Sequence, residues 1–268
     1  MPDRAASTFC FQKMWRAFIP NAFSMGNLTF GFFAMIIASR ATGHNTENFY
    51  YFIAAGLCIM IAAVFDGLDG PLARLFRSQS QLGEQLDSLA DLTTFGLAPG
   101  FLFYKMYLYE MVIAKATLGT PWDIPVGMAV AAIFPLCAAF RLARFNVAHD
   151  SGSFVGLPSP VAGLLIAFIP LYNNNTQYIS KPVALTIFIA VALLMISNVR
   201  YSKPQSKLRT EFTVLRAVGF ALIVGLLIYR FNLYFVVFGV VILYVASGLF
   251  AMVLHLLQKL RYKIVSGE

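Results

Sequence analysis

Runs of about 20 apolar residues recur along most of this chain, and each is the length a helix needs to cross the hydrocarbon core of a bilayer. No water is available there, so the backbone polar groups of such a run must be satisfied within the segment itself. The 268 residues are 59% hydrophobic and only 12% charged, against roughly 25% charged in a soluble domain. An all-α fold is expected: a polytopic transmembrane helical bundle of about eight spans, near 22–39, 49–70, 86–108, 125–145, 158–172, 183–199, 213–229 and 233–256. The length leaves no room for a sizeable soluble domain. The first twenty residues mix polar and aromatic side chains (Phe9, Phe11, Lys13, Trp15, Arg16, Phe18) and lack a small-residue cleavage site after an apolar run. They read as an amphipathic helix lying at the membrane interface, not as a cleaved signal. The expected organisation is therefore a cytoplasmic amphipathic segment over 1–20, a membrane core over 21–200, and two further helices with a basic tail over 201–268.

The basic residues orient this bundle. With a cytoplasmic N-terminus, 15 of the 20 lysines and arginines fall in inside loops and tails, and 5 (Arg40, Lys105, Lys115, Lys181, Arg230) fall outside. That bias is what the positive-inside rule predicts for an even number of spans with both termini in the cytoplasm. The net charge of +8 is thereby accounted for without nucleic acid, since no folded soluble surface exists to carry a basic groove. Cys10, Cys58 and Cys137 are scattered, show neither metal spacing nor a disulfide framework, and read as small buried hydrophobes.

Against this apolar background one stretch stands out. Asp66-Gly-Leu-Asp69-Gly70-Pro-Leu-Ala73-Arg74 is followed after eight residues by Gly83-Glu-Gln-Leu-Asp87-Ser-Leu-Ala-Asp91. Ionisable side chains at membrane depth are costly and mark function by default. Asp66, Asp69 or Gly70, and Ala73 share one face of a helix, while Gly83, Asp87 and Asp91 at i, i+4, i+8 share one face of the next. A short loop joins the two, so they are expected to be antiparallel neighbours with their acidic faces meeting at the cytoplasmic end. Four carboxylates held together repel unless cations compensate them. With no His or Cys in the set, oxygen-only ligation suits Mg²⁺ or Mn²⁺. Two such ions roughly 3.5–4 Å apart would clamp a phosphoryl group. Gly70, Ala73 and Gly83 leave room for a nucleotide or a second backbone, and the planar fork of Arg74 suits phosphate. The alternatives are aspartates at helix ends facing water, or an ion path through a transporter; the absence of an internal repeat weighs against the latter.

The pattern D-x2-D-G-x2-A-R-x8-G-x3-D-x3-D is met at every fixed position and resembles the signature of the CDP-alcohol phosphotransferases. The resemblance implies that Asp66, Asp69 and Asp87 ligate a pair of divalent cations. It implies that Asp91 is the general base and also touches metal, and that Gly70, Ala73, Arg74 and Gly83 shape the CDP site. It further implies a homodimer in a bacterial cytoplasmic membrane.

Other segments are similar to the branch of that family whose acceptor alcohol is L-serine: Pro20-Asn21-Ala-Phe-Ser24-Met-Gly-Asn27-Leu28, Asp87-Ser-Leu-Ala-Asp91 with Phe95-Gly96-Leu-Ala98-Pro99, and Phe140-Arg141-Leu-Ala-Arg144-Phe145-Asn146 with Gly156-Leu157-Pro158-Ser159-Pro160. Asn21, Ser24 and Asn27 recur at helical spacing and either bond the nucleotide or tie helices together. Arg141 and Arg144, one turn apart, suit a serine carboxylate or a lipid phosphate, with Asn146 beside them; positive-inside anchoring and pairing with aspartates is their plainer role. The implied reaction transfers the phosphatidyl group of CDP-diacylglycerol to L-serine at the cytoplasmic face of the lipid bilayer. Glycerol 3-phosphate, an inositol phosphate or choline is the alternative acceptor.

Overall fold

The computed structural model describes residues 3–41, 46–76, 78, 80–109, 111, 126–147, 154–175, 179–201, 239 and 246. Helix α1 (Asp3–Ser39) runs without a break through Pro20, so residues 3–20 and the first span belong to one helix even though proline removes an i→i−4 bond. Helix α2 (Thr46–Leu75) is followed by α3 (Gln81–Asp91). A π-helical segment Leu92–Leu97, helix α4 (Ala98–Phe103) and a second π-helical segment Tyr104–Leu108 continue it as one helical course. This course corresponds to the span expected over 86–108, begun at Gln81. Helices α5 (Val126–Val147), α6 (Ser159–Asn175) and α7 (Lys181–Ile196) complete the described bundle.

Apart from short turns and connections, the described residues are helical except for one two-residue antiparallel ladder. In it β1 (Phe154–Val155) pairs with β2 (Arg200–Tyr201), Phe154 opposite Tyr201 and Val155 opposite Arg200. Three helical stretches are long and apolar enough to cross a membrane: Phe18–Ser39, Phe49–Leu75 and Val126–Val147, of 22, 27 and 22 residues. At about 1.5 Å per residue each reaches or exceeds the roughly 30 Å hydrocarbon core. The apolar helices Ser159–Tyr172 and Lys181–Ile196 are shorter. The spans expected over 213–229 and 233–256 lie outside the described residues.

Packing follows the small residues. A Cβ on Gly31 of α1 would stand 2.8 Å from the Thr94 backbone, and one on Gly163 of α6 would stand 2.9 Å from the Phe95 backbone. In lipid, where apolar burial does not by itself draw helices together, such close approach is what holds them. Both contacts fall on the first π-helical segment, which is thereby gripped between α1 and α6. Further from the acidic residues, Phe103 stacks on Phe188 at 4.1 Å and Phe134 on the same ring at 5.0 Å, fixing α4 and α5 against α7.

One expectation is corrected. Helix α1 packs along both α2 and α3, whereas α2 and α3 make little direct backbone contact. Their backbones are not packed neighbours, but their acidic faces do meet as expected, through side chains that reach across a cleft beside α1.

Candidate active site

The cleft owes its shape to the way α2 ends and α3 begins. The last turns of α2 carry Asp66, Asp69, Gly70, Ala73 and Arg74. The chain then reverses at Ser80, whose extended backbone (φ −143°, ψ 150°) makes it the N-cap of α3. Ser80 Oγ accepts from the Gly83 amide at 3.1 Å, satisfying a donor that the helix start leaves free. This sets the phase of α3, so that Asp87 and Asp91, one turn apart, both face the carboxylates of α2.

Asp66, Asp69 and Asp87 each offer an oxygen lying within 4.8 Å of the others. Asp66 and Asp91 also come within side-chain hydrogen-bonding reach of each other, as do Asp69 and Asp87. Asp69 and Asp91 are buried, Asp66 and Asp87 half-buried. Asp87 Oδ1 is shut off from solvent with no hydrogen-bond partner among the described residues. Like charges this close require a cation or a shared proton, and a buried oxygen left without a partner is costly. Three hard carboxylate donors, with an orphaned oxygen on Asp87, suit a hard divalent cation.

Helix α1 supplies the bonds that hold the carboxylates in place. Ser24 Oγ donates to Asp69 Oδ2 at 2.9 Å, and Asn27 Nδ2 donates to Asp91 Oδ1 at 3.5 Å. Of the two roles open to the polar stripe on α1, Ser24 and Asn27 are thus engaged in joining helices through the acidic side chains. Asn21, one turn earlier, reaches the cavity instead. That cavity, about 150 Å³, lies beside Asp69 and Asp87, with Asn21, Gly70, Ala73 and Gly83 in its wall. A Cβ on Gly83 would stand 3.1 Å from Asn21 Oδ1, so glycine is what lets α1 and α3 close here. Gly70 has no atom within 4 Å of its Cβ position; its smallness widens the open side of the cleft. Arg74 is exposed one turn beyond.

The three polar residues grouped at the end of α5 part company. Arg141 is buried and donates from Nη1 to Ser159 Oγ, and its charge acts on Asp66 and Asp91. Arg144 points to the end of α7, donating to the carbonyls of Ile196 and Ser197, both at 3.3 Å, and to Asn198 Oδ1 at 3.5 Å. Beside it Gly156 takes φ +84°, where a Cβ would stand 2.7 Å from Arg144 Nη2. Asn146 Nδ2 donates to Ser88 Oγ at 3.1 Å, linking α5 to α3.

Several residues of the site escape sequence reasoning. Thr94 Oγ1 donates to the Asn27 carbonyl at 2.9 Å, Ser80 caps α3, Glu84 lines the cavity, and Ser159 holds Arg141. Only Ser159 carries a visible signal, a hydroxyl residue between two prolines at the start of an apolar helix.

A model of the CDP-alcohol phosphatidyltransferase family matches residues 17–198, a stretch containing the carboxylate cluster, the α1 stripe and Arg141. The chain is 32% identical over 188 residues to a CDP-diacylglycerol–serine O-phosphatidyltransferase of Helicobacter pylori, covering 68% of this chain and 70% of that one. A protein of the same name from Methanocaldococcus jannaschii is 35% identical over 170 residues (63% and 72%), and one from Bacillus subtilis is 28% identical over 186 (69% and 89%).

Proposed function

Because this chain belongs to the CDP-alcohol phosphatidyltransferase family, we propose that its cleft transfers the phosphatidyl group of CDP-diacylglycerol to the hydroxyl of L-serine, giving phosphatidylserine and CMP. The observation that carries the chemistry is the meeting of Asp66, Asp69 and Asp87 within 4.8 Å beside an open cavity lined by α1, α2 and α3. The choice of serine rests on the relatives, which bear the serine enzyme's name.

Asp66, Asp69 and Asp87 are the residues that would hold divalent cations, Mg²⁺ or Mn²⁺. Bound there, such ions would supply Lewis acidity to the pyrophosphate and compensate charge on the departing CMP. The remaining work falls to the chain. Asn21, Gly70, Ala73 and Gly83 form the wall against which the CDP moiety lies, with Arg74 at its outer edge for phosphate. Asp91, held by Asn27, takes the proton from the serine hydroxyl. The serine oxygen bonds to the phosphorus that bears diacylglycerol, and the bond from that phosphorus to the CMP oxygen breaks. A serine hydroxyl is a weak nucleophile near neutral pH, so its proton acceptor must already be in position. Helix α1 provides this by bonding to both arms of the acidic cluster.

The protein is an integral membrane enzyme by this reading, with the cleft and both termini on the cytoplasmic side, an orientation that the lysine and arginine bias supports. Eight spans are completed beyond residue 201, and the chain pairs as a homodimer.

The test is CMP release by purified protein in detergent, given CDP-diacylglycerol with Mg²⁺ or Mn²⁺ and one acceptor at a time. Serine-dependent release that a chelator abolishes is the expected result. Release only with glycerol 3-phosphate, an inositol phosphate or choline overturns the serine assignment and keeps the chemistry. No release with any acceptor overturns both.

A further inference from the structure

A side-chain amide that holds a carboxylate must itself be held. Asn27 is fully buried, and its Nδ2 reaches Asp91 Oδ1 at 3.5 Å, the far end of the range in which such a bond is effective. Its Oδ1 is shut off from solvent and has no hydrogen-bond partner among the described residues. The amide is therefore fixed at one end, by a long bond, and its reach to Asp91 depends on where α1 carries the Asn27 backbone. Thr94 acts on that backbone directly. Its fully buried hydroxyl donates to the Asn27 carbonyl at 2.9 Å, using the second lone pair of an oxygen inside a helix. Asp91 and Thr94 lie three residues apart on one helical course, so that course meets Asn27 twice, once at its amide and once at its carbonyl. Gly31 against the Thr94 backbone and Gly83 against Asn21 are further close approaches of α1 to the same course. They set how near the helices come, but contact between small residues has little direction, whereas a hydrogen bond fixes one. Ser24 ties α1 to α2 through Asp69 and leaves its register against Asp91 open.

We propose, on the reading of Asp91 as the proton acceptor, that Thr94 is a positioning residue of the reaction. Its hydroxyl sets the register of α1 against the course that carries Asp91, and so keeps the Asn27 amide within reach of that carboxylate. Thr94 is not among the residues that line the cavity; it acts through Asn27. Without the hydroxyl, Gly31 and Gly83 still let the helices close, so the bundle and the wall for the CDP moiety persist. Helix α1 is then free to slide by a fraction of an ångström, which is enough to carry a bond of 3.5 Å beyond effective length. Asp91 loses that donor and is less often in place to take the serine proton. Substrate and cation binding precede this step and are left as they were. A merely structural loss at this buried position spreads to all three, so the pattern of effects separates the two roles.

The experiment measures serine-dependent CMP release by the purified full-length protein in detergent, with the KM for CDP-diacylglycerol. Mn²⁺ affinity is followed separately, without substrate, by electron paramagnetic resonance. Thr94→Val keeps the shape and removes the hydroxyl; Thr94→Ser keeps the hydroxyl and removes the methyl group. Thr94→Val is expected to lower kcat about tenfold, as for loss of one buried hydrogen bond, with KM and the Mn²⁺ Kd within about twofold of the parent. Thr94→Ser is expected to keep kcat within about twofold. Thr94→Ala, which adds no bulk, takes the place of Thr94→Val if the latter does not fold. Asn27→Ala is expected to slow turnover by a similar factor, with the Asn27→Ala, Thr94→Val double variant no slower than Asn27→Ala alone. Parent turnover in Thr94→Val overturns the inference, as does a fall in kcat matched by equal rises in KM and the Mn²⁺ Kd. So does Thr94→Ser as slow as Thr94→Val, or a Thr94→Val effect that persists in full beside Asn27→Ala. Asp91→Asn serves as the control. If it turns over like the parent, the proton-acceptor reading fails and the inference with it; if it is inactive while Thr94→Val matches the parent, only the positioning role fails.

Discussion

Asp66 and Asp91 sit at hydrogen-bonding reach of each other, yet their surroundings assign them different work. Asp66 shares its oxygens with Asp69 and Asp87, so its loss removes a third of the oxygen set offered to a cation. Asp91 stands outside that set and is held by Asn27. Under the proposed reaction, Asp91→Asn abolishes turnover while CDP-diacylglycerol binding stays largely intact. Asp66→Asn loses Mn²⁺ and lipid binding together. Equilibrium binding of a labelled CDP-lipid, measured beside CMP release, distinguishes the two variants, and full turnover in Asp91→Asn removes that residue from the role of base. Asn27 is the most constrained member of the stripe on α1. It is fully buried, its amide nitrogen is given to Asp91 and its carbonyl oxygen receives Thr94. An apolar side chain of similar size at position 27 would leave an Asp91 oxygen without that donor, at a cost on the order of 1–3 kcal/mol.

At the scale of elements, the first π-helical segment is the piece that makes the site rigid. It follows directly on Asp91, and its wider turn changes which residues meet α1 and α6. Such segments inside helices occur often at functional sites. Thr94 is thereby placed against Gly31 and the Asn27 carbonyl, while Phe95 is placed against Gly163. Gly31→Val puts branched carbon where the Thr94 backbone already stands, so α1 must move away from the segment and carry Asn27 from Asp91. The expected result is a destabilisation of about 1–3 kcal/mol, read as a lower thermal midpoint in detergent, with turnover falling alongside. Gly70→Ala tests the converse. Its Cβ meets no protein atom within 4 Å, so stability should hold while the Michaelis constant for CDP-diacylglycerol rises. A loss of stability without any change in that constant would place the glycine's role in the fold.

For the whole molecule, the question is which side of the membrane the cleft faces. The expectation follows from 15 of 20 basic residues lying on one side. Gln81, at the start of α3, and Lys181, at the start of α7, are both exposed and fall on opposite sides by this topology. In a background where Cys10, Cys58 and Cys137 are replaced by alanine, Gln81→Cys in sealed right-side-out vesicles should resist an impermeant maleimide until the membrane is opened. Lys181→Cys should react at once. The reverse pattern inverts the topology and moves the cleft to the outer face.

Apolar runs and the spacing of Asp66, Asp69, Asp87 and Asp91 are legible in the chain because both are local. Hydrocarbon thickness fixes a length, and a 3.6-residue period fixes a face, so helices and acidic faces can be read without knowing what packs where. The starts of α5, α6 and α7 at Val126, Ser159 and Lys181 lie within two residues of the boundaries read from the apolar runs. What stays hidden is which helix lies beside which. Nothing local indicates that α1 packs along both α2 and α3, that Arg141 turns inward to Ser159 while Arg144, one turn away, turns to the end of α7, or that Ser88 receives Asn146. These are contacts between residues far apart in sequence, chosen by the close approach of Gly31 and Gly163 to a π-helical segment that no periodicity announces. Local pattern is enough for apolar helices of membrane-spanning length and for four carboxylates sorted onto one face of each of two helices. That those surfaces meet at a cleft bridged by α1 is a property of the assembled bundle, because α1 bonds to Asp69 of one helix and Asp91 of the other, contacts remote in sequence.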